Sequence, residues 1–272
     1  MTTLIMGIVN VTPDSFSDGG RYLGGADAIA HGRALLAAGA DMLDIGGEST
    51  RPGAERVAVD VERARVLPVV EALAAEGAVV SIDTLNAATA AAAIAAGALI
   101  VNDVSGGLSD PEILEVVADT EAQIALGHWR GPSASMYARA QYDDVVDEVV
   151  AELTERRHEA MAAGIPPDRI IVDPGFGFGK RGEQNWALLR GLERVAAIES
   201  RLLVGTSRKG FLADQLTESG GEATEHRRDL ATAVTSIRAA EAGAWAVRVH
   251  DVGATRDALA VWERGLRDGE DA

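Results

Sequence analysis

The sequence predicts an α/β protein of a single domain, a closed (β/α)8 TIM barrel, from three observations. Eight short runs rich in β-branched residues alternate with alanine-rich stretches along the 272 residues. The stretches between the runs carry apolar residues at helical spacing, which is typical of amphipathic helices. No linker interrupts the series, and alternating strands and helices form parallel sheets with right-handed crossovers. An open, doubly wound sheet is the alternative that this pattern allows.

The eight runs define the expected strands. Three of the helical stretches end in Ala-Gly-Ala at Gly39, Gly97 and Gly243, where glycine is expected to stop the helix before the next strand. One domain is expected over residues 1–272, with residues 268–272 as a frayed acidic tail. In chain order, the predicted strands are residues 4–10, 41–47, 78–84, 98–104, 122–128, 169–175, 201–207 and 244–250.

Composition excludes several classes of protein. The net charge of −17 argues against a nucleic-acid surface, because phosphate contacts are made by clusters of lysine and arginine. The absence of cysteine removes disulfides and thiolate metal sites. The first ten residues lack the pattern of a signal peptide, and no apolar run approaches the roughly 20 residues of a membrane span. We therefore expect a cytoplasmic protein that binds neither nucleic acid nor membrane.

Polar residues stand at the carboxyl ends of all eight predicted strands. In barrels of this class, active sites lie at that end, in the loops that follow the strands. We therefore expect one site on a single rim. The strand-end residues are Asn10, Asp44, Asp83, Asn102, His128, Asp173, Ser207 and His250.

The few lysines and phenylalanines also fall after predicted strands. The chain has only two lysines and four phenylalanines. Phenylalanine ordinarily builds cores, so its confinement to these segments predicts that it lines the mouth of the barrel. The residues are Lys180, Lys209, Phe16, Phe176, Phe178 and Phe211.

Two acidic residues and an amide point to a flat, nitrogen-rich ligand. A buried carboxylate is costly unless it is paired, and Asp83 and Asp173 with Asn102 could accept several N–H groups from one planar edge. Helix capping by Asp83 or Thr84 is the alternative. The "DPGFGFGK" stretch at 173–180 lacks the spacing of a phosphate loop. We expect Asp173 to project into the barrel mouth while the glycines let the backbone approach a flat ligand, and a flexible turn is the alternative.

A small group of basic residues predicts an anion site. Lys209, Arg248 and His250 lie at the adjacent ends of the last two predicted strands, where barrels often hold a phosphate group. Arg51 lies on a glycine- and proline-rich loop, and a solvated surface arginine is the alternative there. The oxygen of Asn10 could bind Mg²⁺, with water and substrate phosphates as the remaining ligands.

Together these motifs resemble the dihydropteroate synthases of the pterin-binding family. The resemblance covers nearly the whole chain, although the residues around His128 depart from the usual family pattern. It implies condensation of 6-hydroxymethyl-7,8-dihydropterin diphosphate with 4-aminobenzoate, with Mg²⁺, in folate biosynthesis, and inhibition by sulfonamides. The motifs, in order, are "MGIVNVTPDSFSDGG", "DIGGESTRPGA", "SIDT", "VNDVSGG", "DPGFGFGK", "GTSRKGFL" and "VRVHDV".

The resemblance also implies roles for individual residues. It assigns the diphosphate site to Asn10, Arg248 and His250, with Asn10 as the Mg²⁺ contact. It assigns the pterin pocket to Thr50, Asp83, Asn102, Asp173 and Lys209. It assigns the aminobenzoate site to Phe16, Thr50, Arg51, Pro52, Phe178 and Lys209. The residues expected to take part in catalysis are Asn10, Asp14, Arg51, Lys209, Arg248 and His250.

This resemblance implies a role for the long polar loop after the first strand. Strand-to-helix turns need only two to six residues, and longer loops are usually functional or disordered. In the family, the first two loops order over bound substrates, so we expect the loop carrying Asp14 and Phe16 to act as a lid.

The resemblance further implies a dissociative, SN1-like reaction and a homodimer. In such a reaction diphosphate leaves first, the loops close, and the amine then attacks. Two alternatives stay open at this point. One is a pterin-dependent methyltransferase, and the other is a catalytically silent pterin-binding paralogue.

Overall fold

Eight parallel strands close into a barrel in this computed structural model, which describes residues 2–12, 23–49, 56–132 and 135–266. Each strand pairs with the next along the chain, and β8 pairs with β1. The predicted fold class is therefore confirmed, and the open-sheet alternative is wrong. The strands are β1 Leu4–Asn10, β2 Met42–Gly46, β3 Val80–Asp83, β4 Ile100–Asp103, β5 Gln123–Gly127, β6 Ile170–Asp173, β7 Arg201–Val204 and β8 Ala246–Val249.

Each strand lies within one predicted run, and β1 coincides with its run. The other strands are shorter because the ends of their runs belong to turns. Gly39, Gly97 and Gly243 have φ angles of 100°, 107° and 86°. This left-handed conformation is favoured by glycine and confirms the predicted helix stops.

Helices surround the strands as an outer layer. In the described part of the chain, the crossover from β6 to β7 contains two helices, and so does the crossover from β7 to β8. None of these helices combines the length and apolar character needed to cross a membrane. The helices are α1 Leu23–Ala37, α2 Val59–Ala75, α3 Ala87–Ala95, α4 Glu112–Ala118, α5 Val145–Ala162, α6 Gly182–Arg190, α7 Leu192–Ala196, α8 Gly210–Glu218, α9 Glu225–Glu241 and α10 Val252–Leu266.

Apolar side chains separate into two main clusters. The larger cluster joins strands to helices, as expected where each amphipathic helix buries one face against the sheet. A smaller cluster takes one residue from each of seven strands. Interiors of such barrels are packed cores, so a ligand binds at the rim. The residues of the smaller cluster are Met6, Met42, Ile100, Ala125, Ile171, Leu203 and Ala246.

Close backbone contact at Gly127 generates a stability prediction. A Cβ atom on this residue would lie 2.6 Å from the Cα and carbonyl oxygen of Val104. The backbone would have to shift to relieve this clash, which costs free energy. Gly127→Ala should therefore lower the free energy of unfolding by about 1–3 kcal/mol, measured by urea denaturation. Gly25→Ala is the matched control, because a Cβ there meets nothing within 4 Å. Equal stability of the Gly127 variant and the wild type would contradict this packing.

Candidate functional site

The register of the strands brings the predicted polar residues to one end of the barrel. Asp83 at the end of β3 pairs with Asn102 on β4 and with Gly46 on β2. Asp173 at the end of β6 pairs with Gly127 on β5. Because all the strands are parallel, these ends meet at one rim, as the sequence predicts.

An arginine whose side chain is 18% exposed joins four of the strands at this rim. Arg248 on β8 donates from Nε to Asp44 Oδ2 at 2.5 Å and from Nη2 to Asp83 Oδ2 at 2.7 Å. Asn102 donates from Nδ2 to the same oxygen of Asp44 at 3.0 Å. The amide oxygen of Asn102 is thus left as the atom that can accept from a ligand.

Asp44 is one of the polar residues predicted at the rim, and it had no predicted role. It is fully buried, and its Oδ1 has no hydrogen-bond partner among the described residues. Asp44 is the middle residue of β2, opposite Ile8 in the register, and is therefore not a strand end as predicted; its pairing with Arg248 has no signal in the sequence. An unpaired buried carboxylate is costly, so Asp44 depends on the Arg248 charge.

Burial and neighbouring charges compete at Asp83. Burial raises the pKa of its carboxyl to about 7, the Arg248 guanidinium lowers it, and the Asp44 and Glu62 carboxylates raise it. Burial lowers the pKa of Arg248, but the carboxylates of Asp44 and Asp83 outweigh burial and raise it overall. Arg248 therefore stays charged and favours the ionised form of Asp83.

Asp173 and Lys209 belong to the same electrostatic site. Burial raises the pKa of Asp173, while the Gly175 amide, 2.7 Å from Oδ1, and the Lys209 charge lower it. Burial and the Arg248 charge lower the pKa of Lys209 to about 8, although the Asp173 and Asp83 charges act to raise it. The structure thus brings these acidic and basic groups close enough to influence one another's charge.

Lys209 also packs against an aromatic ring. Its Nζ lies 4.0 Å from the centre of the Phe178 ring, a cation–π contact. Gly177 permits this approach, because a Cβ there would lie 3.1 Å from Lys209 Cδ. The predicted neighbours Phe178 and Lys209 therefore form one wall of the site.

His250 follows β8, and Asn10 ends β1, the strand that pairs with β8. His250 lies two residues after Arg248, so the two side chains share one face of the extended chain. Its Nδ1 lies 2.8 Å from Ser207 Oγ, and its backbone N–H donates to the same oxygen at 3.1 Å. Asn10 is half-buried at the end of β1. Among the described residues, no group of three or more His, Cys, Asp or Glu could hold a metal ion.

Five of the predicted site residues lie outside the described residues. They belong to the first two strand-to-helix loops, and their predicted roles rest on the sequence alone. They are Asp14, Phe16, Thr50, Arg51 and Pro52.

Two of the phenylalanines contradict the prediction that they line the mouth. Phe176 and Phe211 are 1% and 3% exposed, and their rings stack at 6.1 Å between centres. Trp186 on α6 packs edge-on to Phe211 at 4.9 Å. The loop after β6 and the start of α8 turn back into the helical layer, so these two rings build core. Phe178 alone of the three described phenylalanines contacts Lys209.

The capping alternative for Asp83 is also wrong. Its carboxylate binds Arg248, whereas the first amide of α3, at Ala87, donates to Asp110 Oδ2 at 2.8 Å. Thr84 accepts the Asn86 amide at 3.1 Å and donates to buried Glu62 at 2.7 Å. The functional interpretation of Asp83 is thereby favoured.

The dependence of Asp44 and Asp83 on Arg248 can be tested by unfolding. Arg248→Met leaves two buried carboxylates together, so it should lower the free energy of unfolding by about 3–5 kcal/mol at neutral pH. Arg248 lowers the pKa of Asp83, so without this cation the folded-state pKa of Asp83 rises, the folded state binds more protons, and the deficit should shrink as pH falls.

Urea denaturation at several pH values measures this effect. Arg33→Met, which breaks an exposed pair with Glu76, is the control and should leave stability unchanged. Wild-type stability of Arg248→Met at every pH would show that the three groups are not coupled.

Comparison with known proteins places the chain in a family. The family described as pterin binding enzyme matches residues 6–250. Dihydropteroate synthase from Mycobacterium leprae is 50% identical over 267 residues, which cover 97% of this chain and 94% of that protein.

Solved structures give the same result. Xanthomonas albilineans dihydropteroate synthase with 4-aminobenzoic acid has a TM-score of 0.90 and 44% identity, over 98% of this chain and 94% of that chain. Yersinia pestis dihydropteroate synthase with a sulfonamide drug has a TM-score of 0.89 and 39% identity, over 97% and 94% of the two chains. The chain therefore belongs to the dihydropteroate synthases of the pterin-binding enzyme family.

Proposed function

We propose that the chain condenses 6-hydroxymethyl-7,8-dihydropterin diphosphate with 4-aminobenzoate to give 7,8-dihydropteroate and diphosphate, a transferase reaction of folate biosynthesis. The observation that carries the proposal is the convergence of Asp83, Asn102 and Asp173 beside Lys209 and Arg248 on one rim. Similar proteins that bear the name dihydropteroate synthase support it. The methyltransferase alternative has no supporting observation here.

The acceptors at the rim suit a pterin. The amino-amide edge of a pterin presents several N–H donors in one plane. Two carboxylates and the Asn102 oxygen, whose amide nitrogen already donates to Asp44, can accept from such an edge. Charge-assisted hydrogen bonds of this kind are stronger than neutral ones, so Asp83 and Asp173 are proposed as the main pterin contacts, with Lys209 and Thr50 beside them.

The wall formed by Lys209 and Phe178 suits the second substrate. An aromatic ring can pack on Phe178, and the carboxylate of 4-aminobenzoate can pair with a lysine ammonium. We propose that Phe16, Thr50, Arg51 and Pro52 complete this site from the two loops. The Xanthomonas relative was solved with 4-aminobenzoic acid and the Yersinia relative with a sulfonamide, which supports both ligand classes at this chain.

Arg248, His250 and Asn10 are proposed to bind the diphosphate. Arg248 uses Nε and Nη2 for carboxylates, so Nη1 is the donor that an anion could take. The Asn10 oxygen is a hard ligand of the kind that Mg²⁺ accepts, and Mg²⁺ commonly takes few protein ligands and keeps water and phosphate oxygens. The single amide therefore fits a Mg²⁺ ion delivered with the substrate, which would help to stabilise charge on the leaving group.

A dissociative path follows from the charges at the site. The bond between the pterin methylene carbon and the diphosphate oxygen breaks first, and the electron pair leaves with diphosphate. Arg248 and His250 stabilise that anion, while Asp83 and Asp173 favour the positive charge left on the pterin. The neutral aryl amine then attacks the methylene carbon and loses a proton to water.

We also propose that the protein is a cytoplasmic homodimer. Lack of cysteine is compatible with a reducing compartment. Leu230 and Val234 on α9, and Val261 and Leu266 on α10, are 50%, 62%, 75% and 61% exposed, although these helices pack against each other. Exposed apolar residues gathered on adjoining helices are typical of a protein interface.

The synthase activity and the pterin contacts can be tested together. With both substrates and Mg²⁺, the wild type should form dihydropteroate, and a sulfonamide should compete with 4-aminobenzoate. Asp173→Asn should weaken pterin binding by about 2–5 kcal/mol in calorimetry, since it removes a buried charge-assisted contact.

Asp257→Asn is the matched control, because the Asp257 side chain is 78% exposed on α10. Pterin binding without any product would identify a silent paralogue. Normal pterin affinity of Asp173→Asn would show that the pocket is misassigned.

The order of bond breaking has its own test. A dissociative path predicts that oxygen isotopes scramble within the diphosphate of the pterin substrate when 4-aminobenzoate is absent. Arg248→Lys should reduce the scrambling rate, because a lysine ammonium lacks the guanidinium fork that pairs with Asp44 and Asp83 while leaving Nη1 for the anion. Scrambling that requires the amine would instead favour concerted displacement.

A further inference from the structure

Lys180, the second of the two lysines, is buried beside the site without an assigned role. It closes the β6–α6 loop (residues 174–181) and is 1% exposed. Its Nζ lies 2.8 Å from His128 Nδ1, 2.9 Å from the Gly175 carbonyl oxygen and 3.1 Å from the Phe178 carbonyl oxygen. An ammonium has three N–H donors, so these three acceptors match it in number.

His128 lies between Lys180 and the helical layer. Burial lowers the pKa of His128 to about 4, so its imidazole is neutral at pH 7. Since Nδ1 accepts from Lys180, the ring proton sits on Nε2, which lies 3.0 Å from Glu152 Oε2 on α5, a close electrostatic contact that lacks hydrogen-bond geometry. Burial alone would raise the pKa of Glu152, but His128 and Arg130 lower it to about 2, so Glu152 supplies a fixed negative charge.

The result is a continuous chain of groups from the β6–α6 loop to α5. We call Lys180, His128, Glu152 and Arg130 the Lys180 chain. Arg130 donates to Glu148 at 2.7 Å as well as to Glu152. The buried ammonium is thereby balanced through a neutral histidine by a carboxylate, which is the condition under which a buried charge is tolerated.

This chain holds the turn that carries the aromatic wall. Lys180 binds both ends of the segment from Gly175 to Phe178, and the Phe178 amide closes the turn on the Gly175 oxygen at 3.0 Å. Tyr142 fixes the next residue, Gly179, by a hydrogen bond of 3.0 Å to its carbonyl oxygen. The backbone of Phe178 is therefore fastened from inside the protein, while its ring contacts Lys209.

Asp173 shares one contact with this turn, because its Oδ1 accepts the Gly175 amide at 2.7 Å, but the backbone of Asp173 is held by other contacts. Its backbone oxygen accepts the His128 amide at 2.9 Å, and the residue ends a strand of the barrel. Loss of the Lys180 ammonium should therefore disturb Phe178 more than Asp173. This difference separates a role at the aminobenzoate wall from a general role in folding.

We propose that Lys180 is a positioning residue for the aminobenzoate site: its buried ammonium holds the Gly175–Phe178 turn so that the Phe178 ring lies under the Lys209 amine. The proposal rests on the synthase function proposed above. Lys180 acts through the loop backbone and takes no part in the bond-forming step.

The proposal implies a pH dependence. Burial lowers the pKa of Lys180 to about 7, Asp173 and Glu152 raise it, and Arg130 and Lys209 lower it. Above that pKa the neutral amine has two N–H donors for three acceptors, so the turn loosens. The KM for 4-aminobenzoate should therefore rise with pH in two steps, near the Lys180 pKa of about 7 and near the Lys209 pKa of about 8.

Lys180→Met tests the proposal by keeping the aliphatic stem and removing the donors. We expect the KM for 4-aminobenzoate to rise about tenfold or more, since small misplacements at a site are costly. Pterin affinity by calorimetry should change little. The step near pH 7 should disappear and the step near pH 8 should remain. Arg157→Met on α5, which removes a cation bound to Ser200, is the control.

The outcomes distinguish this proposal from the proposed function. A wild type that forms no dihydropteroate would overturn the function itself. An active wild type whose Lys180→Met variant keeps the KM and both pH steps would overturn the role of Lys180 alone. An equal loss of affinity for both substrates would also overturn it, because it would indicate a general structural role.

A measurement on the wild type covers the case in which Lys180→Met does not fold. The described residues include both lysines, so ¹⁵N-lysine labelling gives two side-chain amine signals. Comparison with Lys209→Met assigns them. We expect the Lys180 amine to titrate near pH 7, together with the first rise in KM. A KM step near pH 7 without titration of the Lys180 amine would contradict the proposal.

Discussion

The buried contact of Arg248 with Asp44 and Asp83 is the interaction on which the site depends. One guanidinium spans strands β8, β2 and β3, and through Asp44 it also fixes Asn102 on β4. Removing charged groups from water is expensive, and such clusters seldom add net stability. We attribute the cluster to ligand recognition instead. It holds hydrogen-bond acceptors at fixed positions, and a ligand with N–H donors at matching positions can bind to them.

The two lysines add positively charged groups on the other side of the barrel. Lys209 lies over Phe178 at the surface of the site, whereas Lys180 is enclosed beneath the same turn. Burial lowers both amine pKa values, to about 8 and about 7. The acidic groups proposed to bind the pterin and the cationic groups proposed to bind the anionic parts of the substrates thus lie within one rim. Each set favours the charged form of the other, in opposition to burial.

The strands and the rim could be predicted because their causes are local. β-Branched runs, glycine stops and parallel topology together require that Asp83, Asn102 and Asp173 meet at one end. The pairing of Arg248 with Asp44, 204 residues apart, has no local signal. Phe176 and Lys180 lie in a loop without periodicity, so the sequence did not indicate that both are buried. Glycines at 175, 177 and 179, all at positive φ, permit that inward turn.

A crystal structure of the chain with 7,8-dihydropteroate bound would test the central claim most directly. We expect the amino-amide edge of the pterin to lie within hydrogen-bond distance of Asp83, Asn102 and Asp173. We also expect the benzoate ring to pack on Phe178 with its carboxylate near Lys209. A pterin bound away from these carboxylates, with Arg248 still paired to Asp44 and Asp83, would contradict the account.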